Sequence, residues 1–150
     1  MLDTPLLAPL FWSALLHGQS DLIWCKTPQG RYLTCNRAAA EWFGREIEQI
    51  TGCDDFALFP FPVAEGLREQ DELALAAAAP LQQEERLVFP DGRVRDMEIT
   101  RTPIRDAQGE LQGLLVVAKD VSRLKRLEKT LMETESKLHR AQAVDRKSVV

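Results

Sequence analysis

The sequence predicts an α+β fold: a five-stranded antiparallel sheet with a helical layer on one face, a flanking helix before it and a long helix after it. Three observations carry this reading. Short apolar runs around Trp24 and Tyr32 precede a helical middle, longer strand-like runs follow Pro80, and the tail repeats leucine at heptad spacing. Strands separated by a helical insert give an antiparallel α+β sheet, not the alternating βα units of a nucleotide-binding fold.

Each element follows from its residues. Leu6, Leu7, Leu10, Phe11, Leu15 and Leu16 recur at helical spacing, and Gly18 stops that helix. Leu22 to Lys26 and Tyr32 to Cys35 flank the turn Pro28-Gln29-Gly30 and form a hairpin. Asn36 is a favoured N-cap for the helix through Ala38, Ala39 and Ala40, which Gly44 closes. A short helix fits Glu46 to Ile50, one more turn fits Asp54 to Pro60, and an alanine-rich helix spans 63–79. Glu85 to Phe89, Arg93 to Ile104 and Leu111 to Val121 are the last three strands, separated by turns at Pro90-Asp91-Gly92 and Asp106 to Gly109. In the second of these, Met97 and Ile99 share one face, while Asp96, Glu98 and Thr100 share the other. Leu114 to Ala118 is apolar on both faces, so both faces should be covered.

Composition bounds the function. The chain has 150 residues, 45% of them apolar and 28% charged, which suits one folded domain with a core. Residues 1–118 carry 10 basic and 18 acidic side chains, whereas residues from Lys119 onward carry 9 basic and 5 acidic ones. An acidic body with a basic tail argues for two structural units and gives no signature of nucleic-acid binding. Cys25, Cys35 and Cys53 share no metal-ligand spacing, so no metal site is expected, and three unpaired thiols suit a reducing compartment. No apolar run has the length of a membrane span, and Asp3 together with the missing basic start argues against a signal peptide. The expected location is cytoplasmic.

In the tail, Leu124, Leu127, Leu131, Thr134, Leu138 and Ala141 follow one another at spacings of 3, 4, 3, 4 and 3. That is an a/d seam of about three heptads, with charged flanks that favour a dimeric coiled coil over a helix folded back on the sheet. Asp120 and Ser122 are the candidate caps of its first turn, and residues 145–150 carry no seam and are expected to fray.

Several segments resemble a known family. Leu22 to Ala38 is similar to the opening hairpin and helix cap of PAS domains, and Thr51 to Pro60 resembles their middle segment. Phe89 to Arg93 and Thr102 to Gly109 look like their later hairpins, and Lys119-Asp120-Val121-Ser122 resembles the junction into a signalling helix. The resemblance covers residues 8–125. It implies a flanking helix at 1–18, a PAS domain at 19–121 and a signalling helix and tail at 122–150. It also implies a sensory module that precedes an output domain such as a histidine kinase or diguanylate cyclase, and a homodimer formed through the flanking helices. In that homodimer Leu124, Leu127, Leu131 and Leu138 would form the seam, and Asp120, Val121 and Ser122 the signal junction.

The family's cofactors leave little trace in these residues. Counting from Gly52, Asp55 stands where a flavin sensor has its reactive cysteine, and Cys53 is displaced, which argues against a covalent flavin. His17 and His139 lie in the flanking helices, which argues against histidine-ligated haem. The cysteines are read instead as small apolar residues. A noncovalent small ligand would be walled by Trp24, Trp42, Phe43, Phe56, Phe59 and Met97, with Arg101 as a polar contact. Arg95 and Arg101 share the Met97 face. Were that face inward, a buried Arg would want an anionic partner such as a ligand carboxylate, and an outward face is the simpler expectation. Glu65, Glu69, Asp71 and Glu72, with Glu84 and Glu85 just beyond, read as a solvated surface rather than acid–base machinery, so no enzyme is expected. The rival reading is a dimerisation or docking module without ligand.

Overall fold

The computed structural model describes residues 4–148, with side chains over 9–144. One compact unit closes at Asp120 and a second begins at Val121. The first contains α1 (Thr4–His17), β1 (Leu22–Lys26), β2 (Tyr32–Cys35), α2 (Arg37–Phe43), α3 (Ile47–Ile50), α4 (Asp55–Leu58), α5 (Phe61–Leu75), β3 (Leu81–Val88), β4 (Val94–Arg105) and β5 (Leu111–Asp120). The second is α6 (Ser122–Ser148). The helix thus continues past 145, where fraying was expected, and residues 149 and 150 lie outside the described residues.

All strand pairs are antiparallel, in the order β2-β1-β5-β4-β3. Within the first unit the helices α2 to α5 supply one side of the core. Ala39, Ala40, Phe43, Ile50, Leu58, Ala64, Leu67 and Ala74 from that layer are buried with Leu22, Trp24, Met97, Ile99, Leu114, Val116 and Ala118 from the sheet. The aromatic rings interlock: Trp24 and Phe43 have centroids 5.5 Å apart, and Phe43 and Phe59 5.3 Å. Such tilted and edge-on contacts suit the ring quadrupoles.

Local chemistry sets the helix ends. Asn36 caps α2, its Oδ1 accepting from the Ala39 N–H at 3.0 Å and also from the Ile23 N–H at 3.1 Å. Its Nδ2 donates to the Leu16 and Asp21 carbonyls, so one buried amide joins α1, β1 and α2. Gly44 ends α2 in the left-handed region, at φ 69°. Glu46 and Gln49 form a reciprocal capping box on α3, and Asp54 Oδ1 accepts from the Ala57 N–H to cap α4.

Within the first unit, two boundaries differ from expectation by four residues, and the others by two at most. Helix α5 stops at Leu75 instead of 79, with Ala76 as its C-cap, and Pro80 steers the residue before it away from helix as the chain turns into β3. Strand β3 begins at Leu81 instead of Glu85, since the 12-residue β4 offers partners down to the Leu81–Arg101 pair. The polar stretch Gln82 to Glu84 concealed this part of the strand.

Gly66 lies inside α5, and a Cβ there would meet nothing within 4 Å. Gly66→Ala should therefore stabilise the fold by about 0.5–1 kcal/mol through reduced backbone entropy of the unfolded chain, a gain urea denaturation would measure.

Candidate functional site

The register of β1 and β4 sends charge into the core. Alternation along β1 buries Leu22, Trp24 and then Lys26, and along β4 it buries Met97, Ile99 and then Arg101. In α5 the inward stripe Ala64, Leu67, Asp71, Ala74 includes a carboxylate, and Asp55 in the first turn of α4 is also buried. These four residues meet. Lys26 Nζ donates to Asp55 Oδ1 and Oδ2 at 2.7 and 2.6 Å, and to Asp71 Oδ2 at 2.6 Å. Arg101 Nε donates to Asp71 Oδ1 at 2.7 Å, and its Nη1 and Nη2 both reach the Glu85 carboxylate. Tyr32 closes the other end, its hydroxyl donating to Asp55 Oδ1 at 2.6 Å while its ring lies 4.9 Å from Lys26 Nζ.

The result is a chain of charge-assisted hydrogen bonds, Tyr32–Asp55–Lys26–Asp71–Arg101–Glu85, drawn from β2, α4, β1, α5, β4 and β3. Burial opposes the charge on Arg101, but the Glu85 and Asp71 carboxylates outweigh it and hold the guanidinium above its ordinary value. Burial, then the Asp55 charge and hydrogen bond, push the Tyr32 phenol well above the ordinary tyrosine range. Burial raises the Cys35 thiol to about 11, so it stays protonated.

The structure corrects several expectations. Arg101 faces inward, and its anionic partners come from the chain itself rather than from a ligand. Asp71 is buried, not solvated, because it falls on the inward stripe of α5, and Glu85 is 14% exposed because its register places it beside Met97 on the inner face of β3. Among the proposed cavity walls, Trp24, Phe43, Phe59 and Met97 lie in the core. Phe56 is 44% exposed and packs on the exposed Phe61, because the turn α4 points its next side chain outward. Trp42 is half-buried against Phe89, with the Arg93 guanidinium 4.0 Å from its ring centroid. Cys35 is buried, whereas Cys25 and Cys53 are only half-buried. The Trp24 Nε1 is buried with no acceptor among the described residues.

At the junction, Asp120 ends β5, with its Oδ2 3.7 Å from Arg95 Nε, and Arg95 in turn lies 5.7 Å from the Trp42 ring. Val121 is buried and its carbonyl accepts from the Lys125 N–H. Along α6, Leu124, Leu127, Leu131 and Leu138 are all more than half exposed. His17 Nδ1 accepts from the Arg37 N–H at the start of α2. No helix among the described residues is long and apolar enough to cross a membrane.

The charge chain was missed in the sequence, yet parity held a signal. Lys26 is two residues beyond Trp24, and Arg101 two beyond Ile99, on strands whose inward phase the hydrophobic residues define.

Two measurements test this geometry. Lys26→Met leaves two buried carboxylates without their cation and should lower unfolding free energy by about 3–5 kcal/mol in urea denaturation. Tyr32 is the sole tyrosine of the sequence, so phenolate absorbance near 295 nm reports it alone. Its folded pKa lies above the unfolded value of about 10, so the phenol's contribution to stability is present below that pH and lost above it. Alkaline titration should show no phenolate until the chain unfolds.

Comparisons with known proteins fit this architecture. Residues 16–126 match the sequence profile of the PAS fold family. The aerobic respiration control sensor protein ArcB of Escherichia coli is 26% identical over 121 residues, covering 81% of this chain and 16% of that protein. The chain therefore spans about a sixth of the length of the curated relatives it matches. The structure of a VqmA–ligand–DNA complex from Vibrio cholera superposes with a TM-score of 0.67 at 25% identity, covering 75% of this chain and 51% of that one. The PAS domain of a Colwellia psychrerythraea protein superposes with a TM-score of 0.66 at 20% identity, covering 78% of this chain and 98% of that one. With its helical layer, five-stranded antiparallel sheet and matching profile, the chain belongs to the PAS fold family.

Proposed function

We propose that this chain is a cytoplasmic, non-catalytic sensory module that dimerises and relays a signal through α6 to a C-terminal output domain such as a histidine kinase or diguanylate cyclase. One observation carries the reading: a PAS fold similar to part of a respiration sensor runs, through Asp120, Val121 and Ser122, into a helix whose heptad leucines are exposed. A narrow exposed seam with charged flanks suits a partner helix of the same kind. In this reading the input changes the packing of the helical layer, the sheet transmits the change to Asp120, and two arrangements of the paired helices exchange population.

A noncovalent ligand among Trp24, Phe43, Phe59 and Met97 is part of the reading. The unpaired indole N–H of Trp24 favours it, since an unsatisfied buried donor costs about 1–3 kcal/mol and a ligand acceptor would relieve that cost. The VqmA complex, which holds a ligand in its own structure, is consistent with it. The second reading, a docking module without ligand, is favoured by the interlocked aromatic rings and by the internal pairing of Arg101.

Native mass spectrometry of the purified chain separates the two, with a retained small molecule expected for the sensor and a clean apo mass for the docking module. Leu131→Asp places a charge in the seam and should weaken self-association by about 2 kcal/mol or more. Unchanged sedimentation of that variant would refute the seam.

A further inference from the structure

The cleft between α5 and β3 leads to the charge chain from outside. It is an open groove of about 330 Å³, lined by Val63, Gly66, Leu67 and Gln70 of α5 and by Glu85, Arg86 and Leu87 of β3, with Pro62 and Gln83 beside them. Its existence follows from the sequence. Gly66 presents no side chain toward it, with open space where a Cβ would stand. Across the gap, the inner face of β3 carries Gln83 and Glu85 where a covered strand would carry aliphatic residues, and Gln83 remains exposed.

The charges select what the cleft can hold. Among the described residues, the hydrogen-bonded chain sets the three carboxylates of Asp55, Asp71 and Glu85 against the two cations Lys26 and Arg101, one formal negative charge in excess. Lys26, Asp55, Asp71 and Arg101 are no more than 2% exposed, so a ligand cannot reach them. Glu85 is 14% exposed, so the surplus is accessible at the cleft. Its two oxygens accept from Arg101 and keep further lone pairs, and an ammonium can donate to these. Gln70 and Gln83 offer amide oxygens to the remaining N–H groups, and Val63, Leu67 and Leu87 suit a short aliphatic stem. Arg86 also lines the cleft, and its register partner on β4 is Asp96.

We infer that the α5–β3 cleft binds a small organic cation, a primary ammonium on a short aliphatic stem, with Glu85 as its counter-ion. An anion would meet the Glu85 carboxylate before the Arg101 guanidinium, which lies behind it. The inference concerns binding alone. Its failure would leave the relay through α6 standing, and failure of the relay would leave the cleft's occupancy standing.

The experiment uses n-butylammonium against n-butanol and butyrate as neutral and anionic controls of matching shape, with calorimetric titration of the whole chain. The ammonium should bind roughly tenfold or more tightly than either control, as expected for a hydrogen bond to a charged group. Gly66→Leu fills the cleft without touching the charge chain and should abolish binding while leaving the circular dichroism unchanged. Glu85→Gln should weaken the ammonium roughly tenfold and leave butanol unaffected. Equal binding of ammonium and butanol would overturn the charge selection, and full binding to Gly66→Leu would place the ligand elsewhere. No binding of the ammonium at tens of millimolar would overturn the site itself.

Discussion

A single ammonium, Lys26 Nζ, held between Asp55 and Asp71, is the contact on which the arrangement of this domain turns. It lies under the sheet, at the end of a strand that is otherwise apolar, and it engages two different helices at once. Moving such ions out of water costs several kcal/mol each, and their attraction offsets the cost only when geometry is good and remaining hydrogen bonds are filled. Here they are filled: Tyr32 completes Asp55, and Arg101 completes Asp71. A well-packed hydrophobic set in the same volume would often be as stable. What the ions supply is position. A slip of β1 or β4 by one residue would turn Lys26 or Arg101 outward and leave the carboxylates buried alone.

The aromatic cluster and the charge chain divide the interior between them. Trp24, Phe43, Phe59 and Phe89 tolerate small changes of tilt, because dispersion and quadrupole contacts vary gradually with geometry. The ion chain tolerates few, because each partner fixes the next. Asn36 acts like a second, smaller pin, since its amide joins the end of α1 to β1 and α2 with four hydrogen bonds.

Much of this was legible in the sequence where signals are local. Asn36 before three alanines, Gly44 after them and the heptad leucines of α6 each depend on neighbours a few residues away. The strand parity of Met97 and Ile99 was equally plain. The charge chain was not, because its bonds join residues 16 to 45 positions apart, and nothing local says that Asp71 and Lys26 will meet. Composition alone marks charged residues as solvated, and a carboxylate on an otherwise apolar helical stripe is the exception it hides. Phe56 differs in the opposite sense: its aromatic ring suggests a wall, but the short turn α4 buries Asp55 and Leu58 and leaves Phe56 between them exposed.

Among the described residues the order of the strands leaves two unpaired borders, β2 with 4 residues and β3 with 8. An open strand border is a template for another sheet, and proteins guard against it with short strands and with charge. Strand β2 is too short to template much pairing. Strand β3 presents Glu84 and Arg86 on one face and Glu85 on the other, so an incoming strand would have to bury charge on both sides. The unusual polarity of β3, which concealed part of it in the sequence, thus works against copies of this domain joining border to border into a continuous sheet.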